Sequence, residues 1–327
     1  MRRIASKFLY TGLGTLAMLW AAAGAAQPAS YPSRPVTIVV PYGAGSSTDI
    51  LTRVLAKQLA GELGQNVVVE NRAGAGGALG SAFVAKAPPD GYTLVMGTIS
   101  SHSINASLLK DQPFNVMRDF KPISLVAYFP NLLAVNKDLP VNNLQELVAY
   151  AKARGSLSYA TGGVGSSGQM AGELLKLSTG APLSHVPYKE VGQGITDTIA
   201  GHVPLIFYQA PALVPHIRDG KLKAIAVLAP ERTPLLPDVA TPAEQGVAGF
   251  DASAWMGLFA PASTPDAVIA KIHRSLVDAA RDAGMARQLG AQGFTLAVDT
   301  PEAFRRFVEA DIAKWAKVIQ TTGATAQ

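Results

Sequence analysis

Val36-Thr37-Ile38-Val39-Val40 is an almost unbroken apolar run rich in β-branched residues. From Ile50 the spacing changes: Ile50, Leu51, Val54, Leu55, Leu59 and Leu63 recur every three or four positions. The first pattern predicts a strand and the second an amphipathic helix. Val67-Val68-Val69 follows as a second strand, and the rhythm continues through Tyr92-Thr93-Leu94-Val95-Met96, Leu132-Leu133-Ala134-Val135 and Leu157-Ser158-Tyr159-Ala160. Near-continuous apolar strands joined by helices predict an α/β fold with a parallel sheet covered on both faces.

One local arrangement occurs twice. Pro41-Tyr42-Gly43-Ala44-Gly45-Ser46-Ser47-Thr48-Asp49 lies between a strand and a helix, and Thr161-Gly162-Gly163-Val164-Gly165-Ser166-Ser167-Gly168 feeds a helix carrying Met170, Leu174, Leu175 and Leu177. Glycines let backbone come close to a ligand, while unpaired N–H groups and the positive end of a helix dipole favour an anion. Serine and threonine add uncharged donors. Either loop alone reads equally as an N-cap and a turn. Two of them, in what read as two α/β units, predict a carboxylate gripped from opposite sides. Asp49 has two readings: it binds an amino or hydroxyl group of the ligand, or it caps the helix and braces the loop.

The N-terminus changes the setting. Arg2, Arg3 and Lys7 precede an apolar run from Phe8 to Trp20 and then Ala21-Ala22-Ala23-Gly24-Ala25-Ala26, the three regions of a secretory signal peptide. An uncleaved anchor fits less well, because Thr11, Gly12, Gly14 and Thr15 break a run already shorter than the roughly 20 residues of a span. Cleavage is expected after Ala26, and the mature chain is expected outside the cytoplasm. The leader carries three basic residues and no acidic one, so the net charge of +5 becomes +2 in the mature chain. Scattered charge of that size argues against nucleic acid as a partner. With no cysteine in the chain, there is no lipid attachment point, disulfide or thiolate metal site. About 300 mature residues suffice for two units with their own cores.

Other chemistry is missing. The loop at Gly43 lacks the lysine of a nucleotide-phosphate loop, and neither it nor Gly74-Ala75-Gly76-Gly77-Ala78-Leu79-Gly80 fits the dinucleotide fingerprint, so no cofactor is expected. No Gly-x-Ser-x-Gly elbow surrounds Ser46, Ser100, Ser166 or Ser167; these serines read as donors, not nucleophiles. His102, His185, His202, His216 and His273 form no pair at helical metal-binding spacing, so no metal site is expected. Ser100 and His102 follow a strand, and His185 precedes Pro187-Tyr188-Lys189; each histidine reads equally as bordering a cleft or as a surface or core residue.

Tyr31-Pro32-Ser33-Arg34-Pro35 through Gly45, Val69-Glu70-Asn71-Arg72-Ala73-Gly74-Ala75-Gly76-Gly77, Pro89-Asp90-Gly91-Tyr92-Thr93-Leu94 and His185-Val186-Pro187-Tyr188-Lys189 stand in this order. Together they resemble the periplasmic substrate-binding proteins of tripartite tricarboxylate transporters, the Bug family, over essentially the whole mature chain. The resemblance implies a type II periplasmic binding-protein fold: two α/β lobes around a ligand cleft, with lobe 1 formed by 27–129 and 253–327 and lobe 2 by 130–252. It implies a non-enzymatic monomer that delivers a di-, tri- or aromatic carboxylate to a membrane permease with a small membrane subunit. Carried onto this chain, the ligand contacts are Tyr42, Ala44, Gly45, Ser46, Ser47, Thr48 and Asp49, then Thr161, Gly162, Gly163, Val164, Gly165 and Ser166, with Tyr188. Ser100 and His102 join them as cleft candidates. Glu190 stands where the family commonly has glycine, and Tyr208-Gln209 where it often has aspartate; both fall where selectivity is set, and loss of the aspartate disfavours an amino-acid ligand. A ligand-presenting sensor for a membrane kinase and an exported hydrolase are the alternatives.

Overall fold

A side-chain cap at Ser46, whose hydroxyl accepts the Asp49 N–H, starts the first long helix, and Gly64 in the left-handed region (φ 67°) ends it. Between these signals Leu51, Leu55, Leu59 and Leu63 form the buried stripe. The stripe is narrower than the sequence spacing indicates: Ile50 is 38% exposed.

The computed structural model describes residues 31–325; the expected signal peptide and its expected cleavage after Ala26 lie outside the described residues. The chain runs β1 (Val36–Val40), α1 (Ser47–Leu63), β2 (Val67–Asn71), α2 (Ala78–Ala85), β3 (Thr93–Thr98), a π-helical turn (Ser100–Ile104), α3 (Asn105–Leu108), α4 (Val116–Asp119) and β4 (Phe120–Phe129). It then builds β5 (Asn131–Asn136), α5 (Leu144–Arg154), β6 (Leu157–Thr161), α6 (Ser167–Thr179), β7 (Leu183–Pro187), α7 (Val191–Ile199), β8 (Leu205–Gln209), α8 (Ala210–Arg218) and β9 (Leu222–Val227). It finishes with β10 (Ala254–Pro261), α9 (Asp266–Ala280), α10 (Ala283–Gly290), β11 (Thr295–Leu296) and α11 (Pro301–Thr322). No helix among the described residues is long and apolar enough to cross a membrane.

Two sheets result, one of six strands in the order β11-β4-β10-β3-β1-β2 and one of five in the order β7-β6-β8-β5-β9. The parallel expectation holds only in part. Helical crossovers set β1 parallel to β2 and β3, and β6 parallel to β7 and β8, because a parallel pair needs a long connection. β10 instead runs antiparallel to β3 and β4, and β5 antiparallel to β8 and β9. Both sheets are mixed because the chain leaves the first at Phe129, enters the second two residues later at Asn131, and returns through β10 in the opposite sense.

The two passages between the sheets are pinned together. Asn131 is fully buried; its Nδ2 donates to the Ala252 carbonyl at 2.8 Å, and its Oδ1 accepts the Ser167 hydroxyl at 3.2 Å. One amide thus ties the outgoing passage, the returning passage and the start of α6. α11 spans both halves, packing on β4, on the π-helical turn and on α6. Its Phe304 lies against Gly257 of β10, where a Cβ would stand 2.1 Å from the ring.

Candidate functional site

The two glycine-rich loops fold alike. In the first, Gly45 takes φ 79° and donates its N–H to Asp49 Oδ2 at 2.9 Å. In the second, Gly165 takes φ 74° and donates to Gln169 Oε1 at 2.7 Å. Ser46 and Ser166 each donate a backbone N–H to the glycine three residues earlier, at 3.3 Å, and each hydroxyl accepts the N–H of the third helical residue at 3.2 Å. Positive φ at both glycines is the reason for glycine there. These bonds leave the first two N–H groups of each helix, Ser47 and Thr48 in α1 and Ser167 and Gly168 in α6, without a partner in their own helix.

The copies differ in charge. Burial pushes Asp49 up, but hydrogen bonds from Arg53, the Gly45 N–H and Asn71 outweigh it and hold the carboxyl below its ordinary value. Its bonds to Gly45, Arg53 and Asn71 make Asp49 a brace of the loop. Gln169 performs the same service as a neutral amide. The hydroxyls differ too: Ser166 Oγ donates to the Gly163 carbonyl at 2.7 Å, whereas Ser46 Oγ keeps its proton for another acceptor.

The loops meet across a cleft of about 130 Å³. Ser46, Ser47 and Thr48 line one side and Gly162, Ser166 and Ser167 the other. Tyr42, Thr98 and Ser100 form a third wall, in which the Tyr42 hydroxyl bonds Thr98 Oγ1 at 2.7 Å. Phe129, Tyr208 and Met256 supply the apolar surface, and Ser47 Oγ donates to Gln209 Oε1 across the cleft at 2.7 Å. Burial pushes the Tyr208 phenol up to about 12, so it keeps its proton. Among the described residues no charged side chain lines the cleft. What it offers an anion is helix N-termini and neutral donors, which work in a low-dielectric site without the desolvation of a paired ion. At the start of α8 the first two positions offer no donor, since the Ala210 N–H bonds the Pro130 carbonyl and Pro211 has none.

Of the residues singled out from sequence, Tyr42, Ser46, Ser47, Thr48, Ser100, Gly162, Ser166 and Gln209 come together in this wall. Ala44, Gly45, Gly163, Val164 and Gly165 shape the loops from outside it. Thr161 is buried behind the second loop, its Oγ1 2.6 Å from His185 Nε2 and 3.2 Å from the Gly163 N–H. Burial pushes His185 down to about 4, so it stands neutral beside Thr161. Tyr188 turns away and donates to Asp197 Oδ2 at 2.7 Å. His102 is not a cleft residue: the π-helical turn carries it fully inside, stacked on Phe259 at 4.4 Å between ring centroids, and burial pushes it down to about 3. Thr98, Ile99, Phe129 and Met256 were missed as wall residues, whereas Tyr208 was read with Gln209 at a position that sets selectivity and Ser167 as a loop donor.

A larger depression of about 400 Å³ lies behind the passages between the sheets, lined by Tyr128, Pro130, Arg232 and Phe307 among others. Neither loop reaches it; Phe129 alone is shared with the cleft. Among the described residues no group of three or more His, Asp or Glu side chains is placed to hold a metal ion.

Residues 51–324 match the family model described as tripartite tricarboxylate transporter family receptor. The chain is 38% identical to protein BugT of Bordetella pertussis over 317 residues, 95% of this chain and 97% of that one. Among solved structures, Rpa4515 of R. palustris with adipate superposes with a TM-score of 0.83 at 34% identity, over 90% of this chain and 99% of that one. MatC of Rhodopseudomonas palustris with bound malate superposes with a TM-score of 0.79 at 32% identity, over 88% and 100%.

Proposed function

Because the chain belongs to the tripartite tricarboxylate transporter receptor family, a family of periplasmic solute receptors and not enzymes, we propose that its cleft captures a small di- or tricarboxylate. One carboxylate group lies between the starts of α1 and α6, accepting hydrogen bonds from the N–H groups of Ser47, Thr48, Ser167 and Gly168 and from the Ser46 hydroxyl. The observation that carries this reading is the duplicated loop geometry, two matched helix starts that flank one cleft lined by no charged side chain among the described residues. Relatives of this fold hold adipate and malate, which supports a carboxylate over other anions.

In this reading residues 31–129 with 253–325 act as one lobe and 130–252 as the other, and closure about the two passages brings both loops onto the same carboxylate. A ligand bonded by both lobes stabilises the closed form over the open one. The closed form is what a membrane permease with a small membrane subunit recognises, with the receptor acting as a monomer exported by residues 1–26. Calorimetric titration with di- and tricarboxylates, alongside small-angle scattering, tests the proposal. Saturable one-to-one binding with a smaller radius of gyration is expected; absence of heat with every acid, or binding without contraction, contradicts it.

A further inference from the structure

Gly74-Ala75-Gly76-Gly77, a third glycine-rich segment, lines no part of the cleft. Its Gly76 carbonyl instead accepts the Asn105 Nδ2 at 3.1 Å, with the Tyr42 hydroxyl of the cleft wall 3.4 Å away. Asn105 is 2% exposed, and its amide orientation follows from its partner, because only an NH2 group donates to a carbonyl. The other end of the amide, Oδ1, meets the second loop: a Cβ built on Gly165 would stand 2.6 Å from Asn105 Oδ1 and 3.4 Å from Leu108 Cδ2. Asn105 and Leu108 belong to the part of the chain before the first passage between the sheets, and Gly165 to the part after it. α11 packs on both α3 and α6 and so joins the same two elements.

We propose that Asn105 is a positioning residue for ligand capture: its Oδ1, held in place through the Gly76 carbonyl, is the seat on which Gly165 rests when the lobes close, and this seat sets the start of α6 at the distance from α1 that one carboxylate spans. The inference rests on the carboxylate-binding reading above. Asn105 lines no part of the cleft, so it acts through the second loop and not on the ligand. The seat accepts glycine alone, because a bare Cα can approach an amide oxygen with a weak C–H···O attraction, whereas any side chain holds the lobes apart. Gly165 is thus required twice, for its positive φ and for this approach.

Gly165→Ala puts a methyl group into the seat and, at φ 74°, also strains the loop; removing the Asn105 amide relieves the first effect and not the second. Wild-type protein, Gly165→Ala, Asn105→Ala and the double variant are titrated calorimetrically with malate and adipate, and contraction on saturation is read by small-angle scattering. Asn105→Ala is expected to lose about three- to fivefold in affinity, the scale of one weak C–H···O contact. Gly165→Ala is expected to lose roughly 10- to 100-fold, the scale of an overpacked contact, and to contract less. The double variant is expected to bind at least about threefold more tightly than Gly165→Ala, although it carries one substitution more; an Asn105 that served only the stability of α3 would add its own loss instead. Melting temperatures without ligand verify that each protein is folded. If the variants carrying Asn105→Ala do not fold, Asn105→Ser replaces it in the same cycle, since it too withdraws the amide oxygen. Gly165→Ala protein within about twofold of wild type overturns the inference, as does a double variant less than about threefold tighter than Gly165→Ala. Wild-type protein that binds neither acid, or binds without contraction, overturns the proposed function itself, a result distinct from an additive cycle in a binding-competent protein.

Discussion

Gly168 is the second residue of α6, and a Cβ built there stands 2.2 Å from the Phe207 carbonyl oxygen, against 3.4 Å for ordinary contact. That oxygen belongs to β8, held between β6 and β5, so it cannot yield; in Gly168→Ala the start of α6 must move by roughly 1 Å. Alanine gains up to about 1 kcal/mol of helix propensity over glycine, while overpacking costs about 1–3 kcal/mol. A net loss of about 0–2 kcal/mol follows, a fall of only a few degrees in melting temperature. Binding suffers more. A displacement of that size stretches N–H···O contacts from about 2.9 Å past 3.5 Å, where little hydrogen bond is left. Losing one donor to a carboxylate, at about 1.5–3 kcal/mol, lowers affinity roughly 10- to 100-fold. Calorimetric titration with malate or adipate reads the loss. Gly192→Ala is the control, since nothing lies within 4 Å of its Cβ, and unchanged affinity is expected there. If Gly168→Ala is destabilised yet binds within about twofold of wild type, the start of α6 does not grip the ligand and the reasoning fails.

Asp49→Ala removes the acceptor of Gly45, Arg53 and Asn71 from a side chain 4% exposed and is expected to cost about 2–4 kcal/mol in urea unfolding; Asp49→Asn should cost less, because an amide does the same job at Gln169. A loss under about 0.5 kcal/mol for Asp49→Ala would show that the loop stands without its brace. Asn131→Leu strands the Ser167 hydroxyl and the Ala252 carbonyl and is expected to lose about 2 kcal/mol by the same measurement; no loss would mean that the passages do not depend on the amide. His102 titrates at about 3 when folded, against an ordinary 6.5. The unfolded chain therefore binds the extra proton between those values, so the contribution is full above pH 6.5 and lost as pH falls toward 3. His102→Phe should remove about 2 kcal/mol of the fall in stability between pH 6.5 and pH 5 and leave ligand affinity within about twofold. An unchanged pH profile, or a large loss of affinity, would return His102 to the cleft.

What was legible in the sequence is what local chemistry decides. Val36–Val40 reads as a strand because its apolar run is short and β-branched, and Ser46 and Ser166 read as helix starts because hydroxyls cap. Even the shared loop geometry is written as a glycine four residues before an acceptor, Gly45 before Asp49 and Gly165 before Gln169. Thr98, Phe129, Tyr208 and Met256 are different. They lie on four strands in two sheets, and only the strand order brings them to one cleft. The same non-local cause hides the antiparallel return of β10, since nothing in Ala254–Pro261 records which neighbours it will pair with. His102 was misplaced for a local reason: a hydroxyl-rich segment, Ser100-Ser101-His102-Ser103, looks like surface, but the π-helical turn buries it, with Ser101 Oγ bonding His102 Nδ1 at 2.9 Å.

The grip on one carboxylate by both loops is tested most directly by a crystal structure of the protein with the dicarboxylate it binds most tightly. The expected result is one carboxylate between the starts of α1 and α6, its oxygens within about 3 Å of backbone N–H groups from both Ser47–Thr48 and Ser167–Gly168. A carboxylate bonded by one loop only, or a ligand seated in the depression behind the passages, would contradict it.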